Sequence, residues 1–220
     1  MSQNILTERY LGKGASDYNK RRSGSQRWQD EHAAVKQYLS NYKGKKVLDI
    51  PCGTGRFIPI YKEFKNELIA SDISKDMITE SLNEAQRNDF DCATYTEQNA
   101  TSLATDITAD VTVSIRFFNW LSPDDAKSAF INISSASAKA MIVSLSTIDV
   151  DEYDTERRKN AIEKLENKRK NVEEAQMLNC VHRLDHFMDW VASSKHEIVH
   201  QTLIVDGQNT KNTIYLLERK

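Results

Sequence analysis

Nine residues, Val47-Leu48-Asp49-Ile50-Pro51-Cys52-Gly53-Thr54-Gly55, restrict the architecture of this chain more than any other stretch. Apolar residues around an acid read as a strand, and glycines at alternate positions let the following backbone turn tightly and come close to a ligand. About twenty residues on, Leu68-Ile69-Ala70-Ser71-Asp72 again ends an apolar run in an acid, which is placed to accept hydrogen bonds from a ribose diol. The pair favours a nucleoside-containing cofactor. A nicotinamide fingerprint would need a third glycine where Ile58 stands, and a phosphate loop would need Gly-Lys-Ser/Thr after the turn, which is missing.

The rest of the chain alternates strand and helix around this unit. Trp28, His32, Val35, Leu39 and Tyr42 share one helical face, with Trp28 as its hydrophobic anchor. Phe57 to Phe64 starts a helix that tolerates Pro59 in its first turn. Ser74 is an N-cap for a helix carrying Ile78, Leu82 and Ala85. Residues 92–98 form a third strand of low apolar content, Val111, Val113 and Ile115 a fourth, and Ala140 to Leu145 a fifth covered on both faces. Pro123 opens the helix between the last two. Val181, Leu184, Met188 and Val191 predict another amphipathic helix, and 196–205 and 210–218 a terminal hairpin around Asp206-Gly207-Gln208-Asn209. This order predicts an α/β domain over 27–220, preceded by an arm or lid at 1–26. Residues 150–190, rich in balanced charge, are expected to form a partly helical cap over the cleft.

Composition narrows the function classes. Thirty basic residues against 32 acidic ones give a net charge of -2, without a global attraction to nucleic acid or anionic membrane. No run approaches the ~20 apolar residues that span a bilayer. Three scattered cysteines, without a CxxC or a Cys/His cluster, point to a reducing cytoplasmic setting and to no metal site. The terminal strands are compatible with a monomer or a homodimer, depending on whether they leave an edge for pairing.

The segments around Asp49–Gly55 and Asp72 resemble the class I S-adenosylmethionine-dependent methyltransferases, in particular their small-molecule branch. The resemblance covers roughly Tyr18 to the C-terminus. It implies a Rossmann-like doubly wound fold: a mostly parallel seven-stranded sheet with a C-terminal antiparallel hairpin and helices on both faces. It also implies S-adenosyl-L-methionine as cofactor, with Asp49, Pro51, Cys52, Gly53, Thr54 and Gly55 around its methionine and ribose portions. By the same resemblance Asp72 binds the ribose hydroxyls, and Ile73 and Met77 border the adenine. Asn99-Ala100-Thr101-Ser102-Leu103 resembles the family's acid-Ala-x-x-Leu segment, with Asn99 in place of the acid. Tyr18 and either Arg21 or Arg22 resemble an entry segment that closes over the methionine carboxylate, a task suited to a guanidinium.

Arg116-Phe117-Phe118-Asn119-Trp120 follows the fourth strand, at the sheet edge where ligands bind. Arg116, Phe117, Asn119 and Trp120 are expected to wall the methyl-acceptor cleft, with Arg116 also near the cofactor and core packing an equal alternative for the phenylalanines. In-line methyl transfer to an oxygen or nitrogen of a small molecule is the implied reaction. A general base serves a hydroxyl acceptor. His182 and His186, one helical turn apart, and Asp149 after the fifth strand are the candidates. The alternatives are a catalytically silent adenosyl-cofactor or partner-binding module and an RNA or protein methyltransferase; a nucleic-acid base enzyme is disfavoured because Pro-Pro-aromatic is missing after the fourth strand.

Overall fold

A computed structural model describes residues 24–148, 182–206 and 211–220. Its elements are α1 (Gln26–Leu39), β1 (Lys46–Asp49), α2 (Ile58–Glu63), β2 (Glu67–Asp72), α3 (Lys75–Arg87), β3 (Ala93–Glu97), β4 (Ala109–Ser114), α4 (Pro123–Ala136), β5 (Ser137–Ile148), β6 (His182–Arg183), α5 (Leu184–Ala192), β7 (His196–Asp206) and β8 (Lys211–Arg219). Serine hydroxyls cap three helices: Ser25 accepts from the Trp28 N–H, Ser74 from Met77 and Ser122 from Asp125.

The sheet runs β3-β2-β1-β4-β5-β8-β7, with β1 to β5 parallel and β8 and β7 antiparallel. The expected seven strands are present, and two-residue β6 makes an eighth by pairing with the end of β5. Alternation along each strand divides the core in two. Val47, Ile142, Ile214 and Leu216 pack with α1 and α2 on one face. Leu48, Met141, Val143, Tyr215 and Leu217 pack with α4 and α5 on the other. Burial on both faces is why these strands read as continuous apolar runs.

Three local expectations change. Helix α5 turns Phe187, Trp190 and Val191 into the core and leaves Met188 exposed, so its buried face is rotated from the one expected. Its aromatic rings meet Phe130 and Tyr215, burying more area than Met188 would. His182 lies in strand β6, whereas His186 lies in α5, so they are not a turn apart on one helix. Trp28 is half-buried and carries the Arg56 guanidinium over its ring, at 3.8 Å, in place of a purely apolar anchor. Residues 1–23 of the expected arm at 1–26 and residues 150–181 of the expected cap at 150–190 lie outside the described residues. The described remainder of that span joins the sheet through β6 and the core through α5. Among the described residues no helix is long and apolar enough to cross a membrane.

One buried group gives the fold an acid-sensitive point. His196, at the start of β7, has no exposed surface, and its Nδ1 lies 2.9 Å from the Ser134 hydroxyl of α4. Burial, then the charges of Arg219 and Lys220, push its pKa down to about 4. An unfolded histidine takes its proton near pH 6.5, so between 6.5 and 4 the unfolded chain binds more protons and stability falls with pH, by about 3 kcal/mol in all. Chemical denaturation of His196→Gln should show the variant gaining about 3 kcal/mol on wild type between pH 7.5 and pH 4. A difference that is constant with pH would refute the assignment.

Candidate functional site

From β1 the chain moves outward through β2 and β3, then returns to place β4 and β5 on the other side. Ligands of open α/β sheets bind at the strands' carboxyl ends where the order reverses in this way. A cavity lies there. Asp49 and Pro51 to Thr54 line it from the end of β1, Asp72 to Ser74 from the end of β2, Met77 from α3, and Ile115 to Phe117 with Trp120 from the segment after β4.

The loop after β1 and the acid after β2 are joined directly. Gly53 N–H donates to Asp72 Oδ2 at 3.0 Å, Ser74 N–H donates to Oδ1 at 2.9 Å, and Cys52 N–H donates to the Ser71 carbonyl at 2.7 Å. Gly53 has φ +52, a left-handed backbone that favours glycine. Gly55 has φ +77 and does not line the cavity; a Cβ there would come within 2.6 Å of Ile58 and 2.9 Å of the Ser81 hydroxyl. It lets the loop pack against α3.

Both acids are buried. Burial raises Asp72 to about 6, against the pull of the Ser74 and Gly53 N–H groups. Burial raises Asp49 to about 7; the Tyr61 hydroxyl and the Arg56 charge pull it down, and Asp72 pushes it up. Burial, then the charges of Asp72 and Asp49, push the Cys52 thiol well up, which keeps it protonated and a poor nucleophile. A carboxylate has about four acceptor sites, and the backbone N–H groups of Gly53, Ser74 and Ile73 engage Asp72 without filling them, leaving capacity for a ligand hydroxyl beside the apolar Ile73 and Met77. These residues fit an adenosyl group.

The opposite wall is basic. Glu31, fully buried on α1, receives Arg56 Nη1 at 2.9 Å, Arg27 Nε at 2.9 Å and Arg116 Nε at 2.8 and 2.7 Å from its two oxygens. Burial alone would raise its pKa, but the hydrogen bond and charge of Arg116, then Arg56 and Arg27, hold it below the ordinary value. Arg56 also lies over the Trp28 and Phe57 rings, at 3.8 and 4.5 Å, and donates to the Trp28 carbonyl. Both Arg56 and Arg116 line the cavity. Neither Glu31 nor Arg56 is marked by the glycine-loop pattern. The available signal is an acid inside a helical stripe, since Glu31 is three residues from Trp28 and four from Val35.

Of the expected site residues, Asp49, Pro51, Cys52, Gly53, Thr54, Asp72, Ile73, Met77, Arg116, Phe117 and Trp120 come together around the cavity. Phe118 takes the core alternative, its ring tilted against that of Phe130. Asn99 caps a short turn by accepting from the Thr101 N–H and hydroxyl, Ala100 accepts from Asn132, and neither lines the cavity. Asn119 accepts from the Ser146 N–H of β5 and also lies off the lining. His182 is buried with Nε2 2.8 Å from the Phe118 carbonyl, under Trp190, and His186 is exposed on α5. Neither histidine lines the cavity. Tyr18, Arg21, Arg22 and Asp149 lie outside the described residues. Among the described residues no cluster of three His, Cys, Asp or Glu side chains is arranged to hold a metal.

A family model described as a methyltransferase domain matches residues 47–140. No curated protein matches the chain in sequence. Among solved structures, magnesium protoporphyrin IX methyltransferase (ChlM) from Synechocystis PCC 6803, with bound SAH, is 16% identical over 100% of each chain, with a TM-score of 0.77. An S-adenosylmethionine-dependent methyltransferase from Clostridium acetobutylicum ATCC 824 is 13% identical over 98% of each chain, with a TM-score of 0.64. The [4+2]-cyclase SpnF is 10% identical, over 87% of this chain and 82% of its own, with a TM-score of 0.65. At such identities these likenesses establish the fold. The matched segment runs from β1 into β5 and contains the Asp49–Gly55 loop, Asp72 and Arg116. Residues 47–140 thus match a methyltransferase domain, carried on a fold shared with S-adenosylmethionine-dependent methyltransferases.

Proposed function

We propose that this protein transfers a methyl group from S-adenosylmethionine to an oxygen or nitrogen atom of a small molecule, in the cytoplasm, as a monomer or a homodimer. The observation that carries the reading is the hydrogen bond from Gly53 to Asp72 inside a cavity whose far wall is Arg116, Phe117 and Trp120. When bound, the cofactor supplies an electrophilic methyl group on a sulfonium. The chain then has to orient and to exclude water. Asp72 and the backbone around Gly53 hold the adenosyl end, while Phe117 and Trp120 present apolar surface where the acceptor would align with the methyl group. The Trp120 indole is fixed by donating to the Arg116 carbonyl at 3.0 Å. No side chain of the described lining is a histidine, so an acceptor that must lose a proton would give it to Asp49, to solvent or to a residue outside the described set. Asp49, held near neutrality, is suited to accept one.

The small-molecule reading draws on the structural neighbour named for a porphyrin substrate and on the near-neutral charge of this chain. The cyclase with the same fold shows why turnover must be measured. Calorimetry with SAH and incubation of the full chain with tritium-labelled methyl donor and a whole-cell extract test the reading together. Label in the low-mass fraction is expected. Label confined to RNA or protein would move the acceptor to another class, SAH binding without label would indicate a silent binding module, and absence of SAH binding would overturn the reading.

A further inference from the structure

The basic wall is more positive than its own carboxylate can offset. Arg56 and Arg116 are only 9% and 11% exposed and share one buried anion, Glu31. Arg56 has further partners: it lies over two aromatic rings, and its charge acts on Asp49. Arg116 forms its ion pair, among the described residues, with Glu31 and lies over the Trp28 ring at 5.8 Å, but its Nη1 is buried with no hydrogen-bond partner there. Leaving a buried charged donor unmet is costly, so an acceptor atom from a ligand is the economical way to satisfy it.

The backbone at Arg116 gives an independent indication. Its φ is +59, in the left-handed region that a residue with a long side chain rarely adopts. Its N–H donates to Ser144 Oγ at 2.7 Å and its carbonyl accepts from Trp120, so neighbours on both sides hold the conformation. Strain of this kind persists where the surroundings enforce it, often at ligand sites. Asp72 closes β2 on one side of β1, and Arg116 follows β4 on the other, beside Phe117 and Trp120. Arg116, which carries the unmet guanidinium nitrogen, therefore belongs to the wall where the acceptor is expected.

We propose that the methyl acceptor is a small carboxylate, whose anionic group is bound by Arg116 with Glu31 as the positioning residue that fixes the guanidinium. This rests on the methyl-transfer reading above. Glu31 takes Nε of Arg116, leaving Nη1 to donate a charge-assisted hydrogen bond to the acceptor, with the acceptor's apolar body against Phe117 and Trp120.

The test divides metabolites of a cell extract on an anion-exchange resin and incubates each pool with the wild-type chain and tritium-labelled methyl donor. Label is expected in products of the retained, anionic pool; label arising only from the unretained pool overturns the proposal. No label from either pool, with SAH binding intact, instead overturns the methyl-transfer reading. The compound labelled in the retained pool is then assayed with Arg116→Gln. Its KM is expected to rise about 10- to 100-fold, the usual effect of losing a hydrogen bond to a charged group. SAH affinity, which also reports that the variant is folded, should move less than about threefold. If Arg116→Gln weakens SAH strongly but leaves methylthioadenosine, which lacks the amino-acid carboxylate, unchanged, the guanidinium serves the cofactor and the proposal falls. The pool experiment needs no variant, so it decides even if Arg116→Gln fails to fold.

Discussion

Asp72→Asn is expected to weaken SAH binding by about 100-fold, because in the proposed site two ribose hydroxyls would lose a charged acceptor worth about 1.5 kcal/mol or more each. The same change should not destabilise the ligand-free protein at neutral pH. The folded-state pKa of Asp72, about 6, is above the ordinary 3.8, so its stabilising contribution is complete below pH 3.8 and is lost as pH rises through 6. Above that, the ionised carboxylate costs the unliganded fold about 3 kcal/mol, which the neutral amide avoids. Against this the variant loses a backbone hydrogen bond, from Gly53 or Ser74. Denaturation curves should therefore favour Asp72→Asn increasingly between pH 4 and pH 7, while calorimetry shows the lost affinity. SAH affinity within about threefold of wild type would remove Asp72 from the cofactor site.

Glu31→Gln should be the most destabilising single change at the site. It leaves Arg56 and Arg116 buried without their shared counter-ion, and breaking one side of a buried pair typically costs about 3 to 5 kcal/mol. Because Glu31 holds its proton less tightly than an ordinary carboxyl, its contribution is present above the unfolded value of 4.5 and is lost only as pH falls through the lower folded one. The full penalty should thus appear at pH 7.5. A double-mutant cycle with Arg116→Gln separates the pair from the rest of the network: the second substitution should cost much less in the Glu31→Gln background than alone. Additive penalties, or a single-variant loss below about 1 kcal/mol, would mean that the arginines find other partners.

Most of the scaffold is written in short-range patterns. Val47 and Leu48 face opposite cores, as do Ile142 and Val143, so the run of apolar residues in each strand reports helices on both sides. Even β3, with little apolar content, is found where the alternation of elements requires a strand. Helix α5 fails at finer grain because it offers two stripes at equivalent spacing, one through Met188 and one through Phe187 and Trp190. Only the surrounding rings decide between them. The wall formed by the Gly53 loop and Asp72 is legible for a related reason: Gly53 is 19 residues from Asp72, within one strand-helix-strand unit whose geometry is stereotyped. The basic wall is not. Glu31 lies 25 residues from Arg56 and 85 from Arg116, and a glutamate in a helix ordinarily reads as solvated until the fold brings its partners to it.

The sheet order also sets when the fold becomes complete. Strand β8 follows β7 in the chain but stands between β5 and β7, pairing with both. A nascent chain that has emerged only through Asp206 has no partner strand for the Ala140–Thr147 edge of β5, whose backbone groups and apolar side chains await Ile214 to Leu217. Closure of this architecture consequently waits for β8, and in the interval before residues 211–219 leave the ribosome the open edge is the surface that a chaperone would have to shield.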